Sequence, residues 1–121
     1  MSAIPDISGY VQQARAAELP PATARAGATA GDPHESAVVL VKDGAIEIGI
    51  WECSPGVFPG ARVGYNELMG VVQGAGTITT DGGEPVALGD GLVFPTLDGW
   101  RGEWNVTETV RKVYVIWGDT R

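Results

Sequence analysis

One carboxylate stands where a carboxylate is costly. Glu67 lies in the run Tyr65-Asn66-Glu67-Leu68-Met69-Gly70-Val71-Val72, which is otherwise mostly apolar and β-prone. On an inward-facing strand, period-two alternation places Tyr65, Met69 and Val71 on the same face as Glu67. Desolvation raises the pKa of such a carboxyl unless an Arg or Tyr satisfies it, which would suit a general acid or base. The competing roles are a structural anchor hydrogen-bonded to Tyr or Trp groups and a solvated residue on a reversed face. Glu67 is the candidate catalytic residue, and Tyr65 can donate a hydrogen bond to it or to a ligand. Arg62 has the opposite parity in a regular strand and is expected to point outward, or to clamp a carboxylate only if the backbone bends.

Four tryptophans are many for 121 residues. Trp100 and Trp104 share one strand face and can wall a pocket that stacks a planar ligand, since aromatic walls with a few placed polar groups are typical of small-molecule sites. Trp51 and Trp117 are assigned to packing, the commonest use of indole. Cys53 follows a strand and precedes a Pro-Gly turn, which suggests a place near the rim. No histidine is near it in sequence to generate a thiolate. His34 is the single histidine, so a Ser-His-Asp triad has no support. Asp81, Glu84 and Asp90 read as turn chemistry and solubility.

The elements that would position these residues are short strands. Eighteen glycines and eight prolines are spread through the chain, pointing to many tight turns and one all-β domain. Residues 1–35 differ in texture. SGYVQQARAAELP can form a short helix, capped at Ser8 and ended by Pro20-Pro21, and ATARAGATAGDPHE reads as an arm on a surface, a partner subunit's included, or as partly disordered. From residue 36 the strands begin. Asp43-Gly44 signals a hairpin, SPGVFPG reads as a loop, and Gly74-Ala75-Gly76, Asp81-Gly82-Gly83 and Gly89-Asp90-Gly91 read as turns. Residues 100–106 and 110–117 read as the last two strands. Eight or nine strands with such turns predict an antiparallel sandwich or barrel, a jelly roll foremost.

A formal net charge of -7 and a pI near 4.5 argue against nucleic acid as a partner, because phosphates attract basic patches. No apolar run reaches the ~18–20 residues needed to span a bilayer, and the first residues lack the pattern of a secretory leader. One cysteine leaves no internal disulfide and a cytoplasmic setting as the default.

Glu67 and Gly74, followed by Gly89 and Pro95 at a five-residue spacing, resemble the cupins, whose motifs read G-x5-H-x-H-x3,4-E-x6-G and G-x5-P-x-G-x2-H-x3-N. The Trp51-Glu52-Cys53-Ser54-Pro55-Gly56 entry, Tyr65-x-Glu67 and the ending from Trp104 to Tyr114 resemble a cupin subgroup that includes the ureidoglycine aminohydrolases. The resemblance covers roughly residues 38–117. It implies a cupin-type double-stranded β-helix, that is a jelly-roll barrel, over residues 36–121, with residues 1–35 as its N-terminal arm and the site in the barrel mouth. It also implies a homodimer and, in some members, a divalent metal. The first-motif histidine positions fall here on Ala61 and Val63, or on Gly60 and Arg62, and the second-motif one falls near Gly102. The expectation is therefore a mouth without metal or other cofactor, lined by Tyr65, Glu67, Met69, Trp100 and Trp104, that binds a small molecule. The alternative is an aminohydrolase-like enzyme acting on a small ureido or amino acid compound, with Glu67 as acid/base.

Overall fold

A computed structural model describes residues 7–118, with side chains from Gln12 onward. Helix α1 (Ile7–Ala16) leads into two short strands, β1 (Thr23–Ala24) and β2 (Ala30–Gly31). The side chain of the expected cap, Ser8, lies outside the described residues. β3 (His34–Asp43) and β4 (Ile46–Cys53) form the hairpin that Asp43-Gly44 predicts, with Gly44 at φ 62°.

Three stretches differ from expectation. The loop expected at SPGVFPG is mostly strand β5 (Gly56–Ala61), paired with β9 (Arg101–Trp117) on one side and with β2 at Gly56 and Val57 on the other. Val57 accepts a hydrogen bond from the Thr29 amide on the β2 side. Two residues on, Pro59 faces the same way past the end of that partner, where a missing N–H is tolerated. Second, Gly74-Ala75-Gly76 does not turn the chain. β6 (Asn66–Thr80) runs through it for 15 residues, with register shifts against β9 around Val71, Gln73 and Ala75. Gly74 and Gly76 sit at φ 113° and 142°, and a Cβ on either would meet the β9 backbone, at Thr109 and Asn105 respectively. These glycines bend one strand. Third, residues 101–117 form the single strand β9, not two.

β7 (Val86–Leu88) and β8 (Val93–Thr96) pair only with β6, which suits Pro95 on an edge. The first half of β9 pairs with β5 and with the end of β6; its second half pairs with β4 and with the start of β6. Two long bent strands thus serve both halves of the antiparallel sheet, which curls into a jelly-roll barrel. Phe58, Met69, Val71, Ile78, Trp104, Val106 and Val110 fill its interior core.

From α1 onward the described part of the arm packs on the barrel of its own chain. Ala14 is buried against Ile50 and Val72 on the outer face of the sheet, with Leu19, Val38, Leu40 and Val113 around them. Arg111 donates from one guanidinium nitrogen to the carbonyls of Ala14 (2.8 Å) and Ala17 (2.7 Å) at the end of α1. A cation there satisfies carbonyls that the helix leaves unpaired. β1 and β2 then attach the arm to β3 and β5. Among the described residues no helix is long and apolar enough to cross a membrane.

Candidate functional site in the barrel interior

β6, β9 and the bend between β5 and β6 bring one charged cluster into an apolar barrel. The even-numbered residues of β9 point inward, so Trp104, Lys112 and Tyr114 share its buried face. Lys112 lies opposite Trp51 of β4 and Val71 of β6. Glu67, four residues from Val71 along β6, lies between Thr96 of β8 and Ile116 of β9. Its carboxylate oxygen Oε2 accepts from Lys112 Nζ at 2.6 Å and from Arg62 Nη2 at 3.0 Å. Glu67, Lys112 and Arg62 are 5%, 4% and 9% exposed, so this is a desolvated cluster, where removing one partner is expensive.

Arg62 points inward, against the parity expectation. β5 ends at Ala61, and residues 62–65 form a bend before β6 starts at Asn66, so alternation does not carry across. The bend is fixed by backbone hydrogen bonds with the loop before β9: Arg62 N to the Trp100 carbonyl, and Gly99 N to the Arg62 carbonyl. The guanidinium then reaches Thr96 Oγ1 at 3.1 Å as well as Glu67.

Burial pushes the Glu67 carboxyl up, but Lys112 and Arg62 together outweigh it and hold it below its ordinary 4.5. Burial among indoles pulls Lys112 below its ordinary 10.5, with Glu67 pulling the other way. Glu67 bridges two basic groups at hydrogen-bonding distance, the arrangement of a carboxylate between an ammonium and a guanidinium. The ammonium also sits 4.7 Å from the Trp51 ring centroid and 4.9 Å from that of Trp104, where desolvated cation–π attraction reaches about 2 kcal/mol.

Above this cluster lies a cavity of about 240 Å³. Its floor is Glu67, Arg62 and Lys112, and its walls include Trp51, Phe58, Trp104 and Tyr114. Tyr65, Ala37 and Ile116 line it too, as does a second ion pair, Arg25 with Glu35 at 3.0 Å. Arg25 comes from the arm just after β1, lies over the Phe58 ring at 4.8 Å and donates to the Pro59 carbonyl. Glu35 also accepts from the Trp51 indole at 2.9 Å. Among the described residues every enclosed side-chain nitrogen and oxygen has a partner. Both side-chain contacts to Glu67 fall on Oε2, which leaves Oε1 without a described partner on a side chain that lines the cavity.

Of the expected mouth residues, the structure gathers Tyr65, Glu67 and Trp104 around the cavity. Met69 is not among the lining residues: two positions further from the floor along β6, it is 1% exposed within the apolar core. Trp100 does not line the cavity either. It precedes β9, packs over Gly60 and Gly102, and donates to Thr80 Oγ1 at 2.9 Å. Trp51 is a wall of the cavity as well as packing. Cys53 is in the core and not at a rim: it is fully buried, and burial followed by nearby Glu35 pushes its thiol up to about 11. His34 is on β3, bonded to the Asp32 carbonyl, and does not line the cavity. Sequence reasoning missed Lys112, Arg25 and Glu35. Lys112 had a signal, because it shares even parity with Trp104, Val110 and Tyr114. Arg25 and Glu35 carried none, because the pairing of β1 with β3 brings them together.

The resemblance to cupins raises the question of a metal, and the chemistry of the donor set bears on it. Oε2 of Glu67 is engaged by an ammonium and a guanidinium, and neither alignment of the motif histidines provides a metal ligand. Among the described residues no three His, Cys, Asp or Glu side chains are grouped to hold an ion. A transition metal needs several such ligands, so these residues do not fit one.

Comparison with known proteins places the architecture. No curated protein matches the chain. Among solved structures, a protein of unknown function of the DUF861 family from Pseudomonas syringae pv. tomato superposes with a TM-score of 0.73 at 24% identity, over 84% of this chain and 45% of that one. The present chain thus spans less than half of that relative's length. The EutQ protein of Clostridium difficile is 20% identical, with a TM-score of 0.62 over 71% of this chain and 69% of its own. Ectoine synthase from P. lautus is 18% identical, with a TM-score of 0.62 over 71% and 64%. At these identities the likeness is one of fold. The EutQ-like cupin domain matches residues 40–114, the stretch from the end of β3 to Tyr114 that carries Glu67 and Lys112, and on that match the chain belongs to the EutQ-like cupin family.

Proposed function

We propose that this chain is a small-molecule-binding cupin whose ligand occupies the barrel cavity without a transition metal. The observation that carries the reading is a 240 Å³ cavity in which aromatic walls converge on a buried, fixed ion cluster with one carboxylate oxygen left open. Apolar walls with a few oriented polar groups are what small-ligand sites are made of. The cluster has the cost of a buried charge network and is held from β6, β9 and the bend after β5, so its geometry is set before any ligand arrives. The same reading takes the protein to be a homodimer, which sedimentation velocity reads directly as the mass of two chains against one.

The aminohydrolase-like alternative draws support from the pairing of Glu67 with Lys112 at the cavity floor. A carboxyl held below its ordinary range is ionised at neutral pH, so Glu67 would serve as a proton acceptor. Hydroxyl and ammonium donors lining the cavity are Lys112, Tyr65 and Tyr114.

A thermal-shift screen of small metabolites on dialysed protein tests the binding reading. Ala37 is an exposed cavity-lining residue of β3, so Ala37→Trp should fill the opening with little cost to the fold. Hits that raise the melting temperature of the wild type and not of Ala37→Trp support the site. Hits that shift both proteins equally place binding elsewhere.

A further inference from the structure

Which ligands would such a cavity select? Two indoles facing a cavity ordinarily suggest a cage for a cationic ligand. Here that place is taken, because the Lys112 ammonium lies 4.7 Å from Trp51 and 4.9 Å from Trp104. Phe58 is likewise covered by Arg25 at 4.8 Å, and the Tyr65 ring faces Arg62 at 5.9 Å. The lining carries three cations, Arg25, Arg62 and Lys112, against two carboxylates, Glu35 and Glu67, so the cavity is locally positive inside a chain of formal charge -7.

Hydrogen-bonding capacity is uneven as well. Among the described residues Lys112 Nζ has one partner, Glu67, and an ammonium has three N–H groups to give. Glu67 Oε1 accepts from no described residue and is not an enclosed atom, on a side chain that lines the cavity. The unused capacity is therefore a charged donor beside an open acceptor.

Resting on the reading above, we propose that the cavity selects a small carboxylate that also carries a hydrogen-bond donor, and discriminates against cations. The carboxylate meets the free N–H groups of Lys112, and the donor, such as a hydroxyl, amide or ureido N–H, meets Glu67 Oε1. A volume of 240 Å³ corresponds to about eight waters, enough for a compact acid and too little for a nucleotide. Cation rejection follows from the same geometry, since a second cation would have to displace Lys112 from between the indoles.

Calorimetric titration at fixed ionic strength with four probes tests this: N-carbamoylglycine, butanoate (no donor), N-carbamoylglycinamide (no charge) and tetramethylammonium. The expected result is saturable one-to-one binding of N-carbamoylglycine, at least tenfold tighter than butanoate or the amide, and none of tetramethylammonium. In Lys112→Met the acid should weaken at least tenfold and tetramethylammonium should gain measurable affinity, which a purely structural lysine would not produce. If that variant does not fold, the wild-type ranking alone decides. Equal or tighter binding of the amide or of tetramethylammonium by the wild type, or binding of none of the four, overturns the proposal. In that event neutral or cationic screening hits that Ala37→Trp abolishes would leave the cavity reading standing, and their absence would remove both.

Discussion

At the scale of single residues the molecule turns on Glu67. Changing Glu67 to Gln keeps the shape and leaves Lys112 and Arg62 facing each other without a counter-charge. Loss of one partner of a buried pair costs about 3–5 kcal/mol, so urea unfolding of Glu67→Gln should show a midpoint well below wild type with an unchanged slope. The double variant Glu67→Gln/Lys112→Met should recover part of that loss. pH acts on the same group. Glu67 titrates below its ordinary 4.5 in the fold, so the unfolded chain takes its proton first. Its stabilisation is complete above that ordinary value and is lost as pH falls through the folded one, and unfolding monitored between pH 6 and pH 3 should show the loss shrink in Glu67→Gln. Cys53 runs the other way. Its thiol is raised from 9.0 to about 11, so the stability it contributes is present below 9.0 and fades between those values; native protein at neutral pH should react with a thiol reagent only as fast as it unfolds. The sequence marked Glu67 as costly, and Tyr65 and Trp104 line the same cavity with it, because all lie on alternating positions of regular strands or directly beside one. Arg62 was legible only as an alternative, because alternation alone does not reveal the bend before β6 that turns it onto the carboxylate.

At the scale of elements, glycines decide where strands bend and where side chains find room. Gly74 adopts φ 113° with the β9 backbone against it. Gly74→Ala should therefore destabilise by roughly 1–3 kcal/mol from backbone strain alone, read by chemical denaturation. From the sequence, Gly74-Ala75-Gly76 and a chain reversal look the same, since both need glycine; only the long pairing partner β9 shows that the strand continues. Gly49 has a different task. Tyr114 lies over it and donates to Glu47 at 2.9 Å, so a methyl at position 49 would push that ring off the cavity wall. The hairpin at Asp43-Gly44 was legible because its signal is local. The strand nature of Gly56–Ala61 was not, because it depends on where β2 ends.

At the scale of the whole molecule, the arm joins the two faces of the fold. Arg111 ties α1 to β9 from outside, and Arg25 reaches the cavity from just after β1. Charged hydrogen bonds of this kind contribute about 1.5–3 kcal/mol, so Arg111→Met should loosen α1, seen as faster amide exchange in residues 7–17 while β6 and β9 stay protected. Composition foretold the jelly roll, since turn-rich alternating strands close on themselves, but gave no indication that residues 12–35 supply part of the cavity wall. The proposed site lies in the barrel interior, with the ligand over the Glu67–Arg62–Lys112 cluster. A crystal structure with the strongest screening hit bound is the decisive test. Ligand density is expected in the cavity, with a ligand polar atom within hydrogen-bonding distance of Lys112 Nζ or Glu67 Oε1. Ligand density on another surface, with the cavity unchanged, would contradict it.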